Sequence, residues 1–185
     1  MATPSHMLPL GTPMPTFTLP DTVSGALVSS SSLQGRPSVV FFLCNHCPYV
    51  KHIRAGISEF GRFCRERGVG MVAVSSNDVL TYPADSPEAM ALEAKEAGYT
   101  FPYLYDESQE VARAFDAACT PDLYIFDAQS KLAYRGQFDG ARPKNDVPVT
   151  GRDARAAIEL LLAGKAPSAD QIPSIGCNIK WKSTG

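Results

Sequence analysis

Cys44 and Cys47 stand two residues apart, with Asn45 and His46 between them and Pro48 directly after. With Cys44 at a helix cap and Cys47 in the first turn, the two sulfurs come within disulfide distance, because four helical residues rise only about 4.5 Å from first to last. Such a pair is a redox couple: one sulfur attacks a disulfide and the second resolves the mixed disulfide. The residues before it, Val39-Val40-Phe41-Phe42-Leu43, are a β-branched and aromatic run, and an amphipathic pattern starts just after it. The cysteines therefore fall at a strand-to-helix junction. Free amides and the positive helix end favour a thiolate there, and the thiolate is the reacting form. Cys44 is expected at the solvent-facing helix mouth as the nucleophile. Cys47 is expected under the helix as its resolving thiol, with His46 lowering the thiol pKa. Two other uses of the pair stay open. A zinc site needs a second pair of ligands, and the remaining histidines are His6 and His52. Two inert buried thiols would also satisfy the composition.

The elements that must position these residues follow from periodicity. A buried strand is expected over 38–43, and apolar residues at Val50, Ile53, Ile57, Phe60 and Phe63 mark one face of a helix over 47–67, closed by Gly68. Phe17 to Leu19 and Ala26 to Val28 flank a turn and read as a hairpin at a sheet edge. Further strands are expected over 69–74, 101–105, 123–126 and 132–136. Helices are expected over 87–97, 106–118 and 151–163, the last with Ile158, Leu161 and Leu162 as its buried stripe. The alternation in the first half predicts an α/β fold with parallel pairing and right-handed crossovers, to which the late strands add an antiparallel edge.

The 185 residues carry 44% hydrophobic and 19% charged side chains with a net charge of −2, the balance of one soluble domain without the basic excess of a nucleic-acid binder. The longest apolar run, 39–44, is far too short to span a bilayer. The first eleven residues lack the charged and continuous apolar segments of a secretory leader, so a cytoplasmic protein is expected. Five cysteines, Cys44, Cys47, Cys64, Cys119 and Cys177, are an odd number and argue against a disulfide framework.

These features resemble the thioredoxin-like superfamily over about 8–182. Cys44-Asn45-His46-Cys47-Pro48 is similar to the Cys-x-x-Cys of thioredoxins, with a histidine where protein disulfide isomerases hold one. Leu10-Gly11-Thr12-Pro13-Met14-Pro15-Thr16-Phe17-Thr18-Leu19-Pro20-Asp21 resembles the opening of peroxiredoxins of the alkyl hydroperoxide reductase type. Together with Arg135-Gly136-Gln137-Phe138-Asp139 and Ile175-Gly176-Cys177-Asn178-Ile179-Lys180-Trp181, it looks like a peroxiredoxin-like branch that carries a Cys-x-x-Cys. The resemblance implies a thioredoxin-like α/β fold: a central mixed sheet flanked by helices, with an N-terminal hairpin extension. The length points to a single domain over 1–185, with 1–8 flexible and a tail over 165–185 that looks irregular but in which Ile175, Ile179 and Trp181 are expected to pack.

The departures separate the subfamilies. A peroxiredoxin site reads Pro-x-x-x-Thr-x-x-Cys. Aligned on Cys47, the Thr position is Cys44, the Pro position is Val40, and the place of the peroxiredoxin arginine holds Thr120-Pro121. Thr120-Pro121 instead resembles the cis-proline loop of thioredoxins, which faces the cysteine pair and offers backbone groups to an extended substrate. Where many thioredoxins carry a buried carboxylate, six residues before the first cysteine, this chain has Ser38.

The resemblance therefore implies a thiol–disulfide oxidoreductase. Cys44, Cys47 and His46 are its catalytic residues, Thr120 and Pro121 bind substrate, and Cys119 and Cys177 are possible additional thiols. Protein or low-molecular-weight disulfides are the expected substrates, with an electron donor to renew the dithiol. No metal and no cofactor beyond the Cys44–Cys47 disulfide are expected, nor nucleic acid or membrane, and a homodimer is compatible with the resemblance. A thiol peroxidase using Cys47 and a non-catalytic metal-binding protein of the same fold are the alternatives.

Overall fold

The cysteine pair hangs from a strand with no exposed side. All five residues of Ser38–Phe42 are buried, so both faces of this strand must be covered. The computed structural model describes residues 2–183. In chain order the elements are β1 (Ala2–Pro4), β2 (Thr18–Pro20), β3 (Leu27–Ser29), β4 (Ser38–Phe42), α1 (Pro48–Glu66), β5 (Gly70–Ser75), α2 (Pro87–Ala97), β6 (Tyr103–Tyr105), α3 (Glu110–Ala114), β7 (Cys119–Thr120), β8 (Asp122–Phe126), β9 (Leu132–Arg135), α4 (Arg152–Leu162) and β10 (Ile175–Asn178).

The central sheet runs β6-β5-β4-β8-β9. Strands β4, β5 and β6 pair in parallel, and β8 is antiparallel to both β4 and β9. Alternation along β4 splits the core in two. Val39 and Phe41 point, with Leu43, to the face that α1 covers through Val50, Ile53, Ile57 and Phe60. Val40 and Phe42 point to the other face, against Phe17, Phe115, Tyr124 and Phe126. Each fully buried side chain of this size contributes about 1.5–3 kcal/mol over leaving it in water. The apolar steps of three and four along α1 are therefore what pin its N-terminus above β4.

Helix boundaries follow local chemistry. Pro48 occupies the first turn of α1, and Gly68, at φ +69°, takes the left-handed conformation just past its end. The side chain of Ser86 accepts the Ala89 amide at 3.3 Å and caps α2.

Three expectations are corrected. The helix expected over 106–118 shrinks to α3, because Gln109 has φ +64° and Asp116 φ +49°, conformations a helix cannot include. The first residues are not loose, nor is the tail wholly irregular. β1 pairs antiparallel with β10, and β10 pairs with β7, in a second sheet of order β1-β10-β7. The buried stripe of α4 is Ala154, Ala157 and Ile158, while Leu162 is exposed.

Candidate active site

β4 ends at Phe42, and the chain then crosses to α1 through residues 43–47. Cys47, with an extended backbone at φ −67° and ψ 124°, is the N-cap of α1, and Cys44 lies in the loop before it. This corrects the expected placement of Cys44 at the cap. Exposure corrects it further: Cys44 is 1% exposed and Cys47 0%, so neither sulfur stands at an open helix mouth.

Both sulfurs meet one residue. Cys44 Sγ lies 3.1 Å from Thr120 Oγ1, and Cys47 Sγ lies 3.1 Å from the Thr120 carbonyl oxygen. The Thr120–Pro121 peptide bond is cis. Beside Pro121, a small cleft is lined by Tyr49, Gln137, Phe138 and Arg142.

The two thiols are pushed in opposite directions. The Cys44 thiol beside Cys47 holds the latter's pKa well below the ordinary thiol value. The Cys177 thiol and the amides of Val50 and Cys177 add to that, against the cost of burial. Cys44 moves far the other way, through the neighbouring Cys47, burial and the charge of Asp85, although Thr120 opposes the rise. The Thr120 carbonyl accepts only from a protonated Cys47, so it is one opponent among several donors. Of the two, Cys47 is the sulfur whose thiolate these surroundings favour.

Asp85 is the residue sequence reasoning missed. It is fully buried and accepts from the Asn45 amide at 2.7 Å, the His46 amide at 3.3 Å and Asn77 Nδ2 at 2.8 Å. His46 Nδ1 lies 2.6 Å from Asp85 Oδ2, the oxygen that Asn77 also reaches. Three contacts, from Asn45 and His46, thus tie the Cys-x-x-Cys loop to the segment before α2, and His46 also stacks on Tyr82 with ring centres 5.0 Å apart. Asn45 Oδ1 accepts from the Tyr103 hydroxyl at 3.1 Å. Asp85 lies just before the start of α2. Its signal was only the unpaired need of two loop amides for an acceptor.

Cys44, His46 and Asp85 each bring a donor atom within 4.8 Å of the others. The carboxylate could complete a metal site the sequence did not offer, but its oxygens are already engaged by the four donors above.

The remaining candidates separate. Cys119 is fully buried, with Sγ 3.6 Å from the Pro121 carbonyl, and burial pushes its thiol up. Cys64 is fully buried on the apolar face of α1. Cys177, on β10, is half-buried, packs against the cluster containing Cys44 and Cys47, and stands opposite Thr120 in register. His6 lies outside the site, 2.9 Å from Asp116 on the surface. The position of the thioredoxin carboxylate, Ser38, is fully buried. Asp122, paired with Phe42, is a buried carboxylate in the same sheet, its acid pushed up to about 6 by desolvation.

Compared with known proteins, the chain matches the AhpC/TSA family over residues 10–135. The chain belongs to the AhpC/TSA family. Among solved structures, an uncharacterized conserved protein from Geobacillus kaustophilus is 49% identical, with a TM-score of 0.98 over 100% of this chain and 98% of that one. A hypothetical protein from Sinorhizobium meliloti 1021 is 43% identical, with a TM-score of 0.95 over 98% and 99%. A thiol:disulfide interchange protein of the thioredoxin family from Chlorobium tepidum TLS shares the fold at 20% identity, with a TM-score of 0.64 over 82% and 97%. Among curated proteins nothing matches. The fold is thioredoxin-like, as expected. AhpC/TSA membership supports a thiol-based redox function, of oxidoreductase or peroxidase type. Among the described residues no helix is long and apolar enough to cross a membrane.

Proposed function

We propose that this AhpC/TSA protein exchanges its Cys44–Cys47 dithiol with substrate disulfides. The observation that carries the reading is the convergence of both sulfurs on Thr120, at 3.1 Å each. In the reduced protein the charge rests on Cys47 and the proton on Cys44. As Cys44 attacks a substrate disulfide, its proton passes to Cys47 and the first substrate sulfur leaves as a thiolate. That thiolate takes the proton from Cys47. Cys47 then attacks Cys44 Sγ, the second substrate sulfur leaves with the electron pair, and the Cys44–Cys47 disulfide remains. A donor of two electrons, such as an external dithiol, restores the pair. His46, held by Asp85, fixes the loop that presents Cys44. Because both sulfurs are covered, the substrate reaches them only when the cover moves.

A peroxidase centred on Cys47 is the second reading, favoured by the placement of the charge on that sulfur. Against it, the threonine position of the peroxidase pattern is occupied by Cys44 and the arginine position by Thr120-Pro121. Turnover with insulin or glutathione disulfide decides. Cys47→Ser should fall to the uncatalysed rate, and Cys44→Ser should fall well below wild type. Wild-type turnover in Cys44→Ser, with rapid peroxide consumption, would replace the exchange reading with the second one.

A further inference from the structure

Strand β10 lies across the redox site. It pairs antiparallel with β7, with Cys177 opposite Thr120 and Asn178 opposite Cys119. Thr120 is the residue that touches both Cys44 and Cys47. The approach is close: a Cβ built on Gly176 would fall 1.9 Å from the Thr120 carbonyl oxygen and 2.9 Å from Pro121 Cδ, so only glycine lets β10 sit there. Two further contacts hold the strand. The Ile179 amide donates to the Ala118 carbonyl at 3.2 Å, and the Lys180 amide donates to Asn77 Oδ1 at 2.8 Å. Asn77 also donates to Asp85, so the tail and the Cys-x-x-Cys loop share an anchor.

An extended substrate that paired with the Thr120 backbone would need this edge. The chain's own strand occupies it, and the residue it places there is a cysteine, half-buried and open to solvent on one side. It stands opposite Thr120, whose carbonyl lies 3.1 Å from Cys47 Sγ, and packs against the cluster that contains Cys47. We infer that Cys177 is a third redox thiol, which exchanges with Cys47 so that the oxidised site passes between a Cys44–Cys47 and a Cys47–Cys177 disulfide. This inference rests on the exchange reading above.

The step conserves atoms and electrons. Cys177 attacks Cys47 Sγ of the Cys44–Cys47 disulfide, and the Cys47–Cys177 bond forms. The Cys44–Cys47 bond breaks with its electron pair on Cys44, which takes up the proton that Cys177 lost. No net oxidation occurs, since the oxidising equivalents came from the substrate disulfide. The consequence is a nucleophilic Cys44 regenerated while the two equivalents are held nearer the surface, on Cys177, where a reducing dithiol can reach them.

The full-length protein is oxidised with glutathione disulfide, quenched in acid, alkylated and digested without reduction. Cys177 leaves trypsin in a different peptide from Cys44 and Cys47, because Lys51 and Lys165 intervene, so the linkages separate by mass. Wild type should yield both disulfides. Cys44→Ser should yield Cys47–Cys177 in the majority of chains: Cys47 attacks glutathione disulfide, Cys177 displaces the bound glutathione, and two molecules of glutathione are released. Gly176→Ala, which pushes β10 from Thr120 without touching a sulfur, should cut the Cys47–Cys177 linkage several-fold and leave Cys44–Cys47 in place. If Cys177 stays alkylatable in oxidised wild type and in Cys44→Ser, while Cys44–Cys47 forms normally, the third-thiol inference is overturned and the exchange reading stands. If Cys44–Cys47 itself does not form, the exchange reading fails first.

Discussion

Replacing Asp85 tests how the redox loop is held. The Asp85→Ala variant leaves the amides of Asn45 and His46, the His46 ring and the Asn77 amide without their acceptor. A buried donor left unpaired costs about 1–3 kcal/mol. His46 keeps 25% of its side-chain exposure, so water recovers part of this loss. A total of about 3–5 kcal/mol is the scale for removing one partner of a buried charged network. For a chain of this size each kcal/mol moves the melting point about 2–4 °C, so a fall of about 10 °C is expected. The assay is thermal unfolding of the reduced protein followed by circular dichroism. Asp85→Asn adds a second readout, because it removes the charge and keeps the volume. Asp85 is one cause, after Cys47 and burial, of the high pKa of Cys44. In a Cys47→Ser background, Asp85→Asn should therefore move the pH profile of Cys44 alkylation to lower pH. A melting point within about 2 °C of wild type, together with an unmoved profile, would refute the argument that Asp85 positions the loop and weighs on Cys44.

Three more outcomes are expected. Asp122 has its acid raised from 3.8 to about 6 by burial. The native state therefore binds the extra proton between these values, and this group's contribution to stability falls as pH rises through the window. Asp122→Asn should gain on wild type by about 3 kcal/mol between pH 4 and pH 7 in urea titrations; parallel curves would contradict the burial argument. Hydrogen peroxide consumption, followed by coupled thiol oxidation, should be slow, and a rate typical of dedicated peroxidases would transfer the function to the second reading. Purified protein assayed by elemental analysis should hold less than one equivalent of zinc or copper, because the Asp85 oxygens are engaged. A full equivalent lost on chelation and in Asp85→Ala would assign Cys44, His46 and Asp85 to a metal.

The strand-loop-helix unit was legible because two independent signals agree there. The buried run ending at Phe42 and the three-and-four spacing after Pro48 leave one junction for the cysteines. The turn at Asp21 to Gly25 and the Ser86-Pro87 cap were equally local. What sequence did not show depends on contacts between distant segments. Nothing near Gly176 predicts a strand, since its pairing energy comes from Thr120 and from Ala2 to Pro4, far away in the chain. The coverage of Cys44 is equally non-local. Helix electrostatics argues for a thiolate at the junction, but which sulfur carries it depends on Asp85 on one side and Cys177 on the other. The helix expected over 106–118 failed for a more local reason. Asp106 turns its carboxylate to the amides of Val111 and Ala112, which ends the preceding turn before a helix can start.

The strand that crosses the redox site lies more than a hundred residues downstream of the cysteines it faces. While the chain is being synthesised, β4 and α1 are complete long before β10 exists, so the nascent chain lacks the strand that pairs beside Thr120. Only when Gly176 slots against the Thr120 carbonyl is the backbone edge beside Pro121 filled.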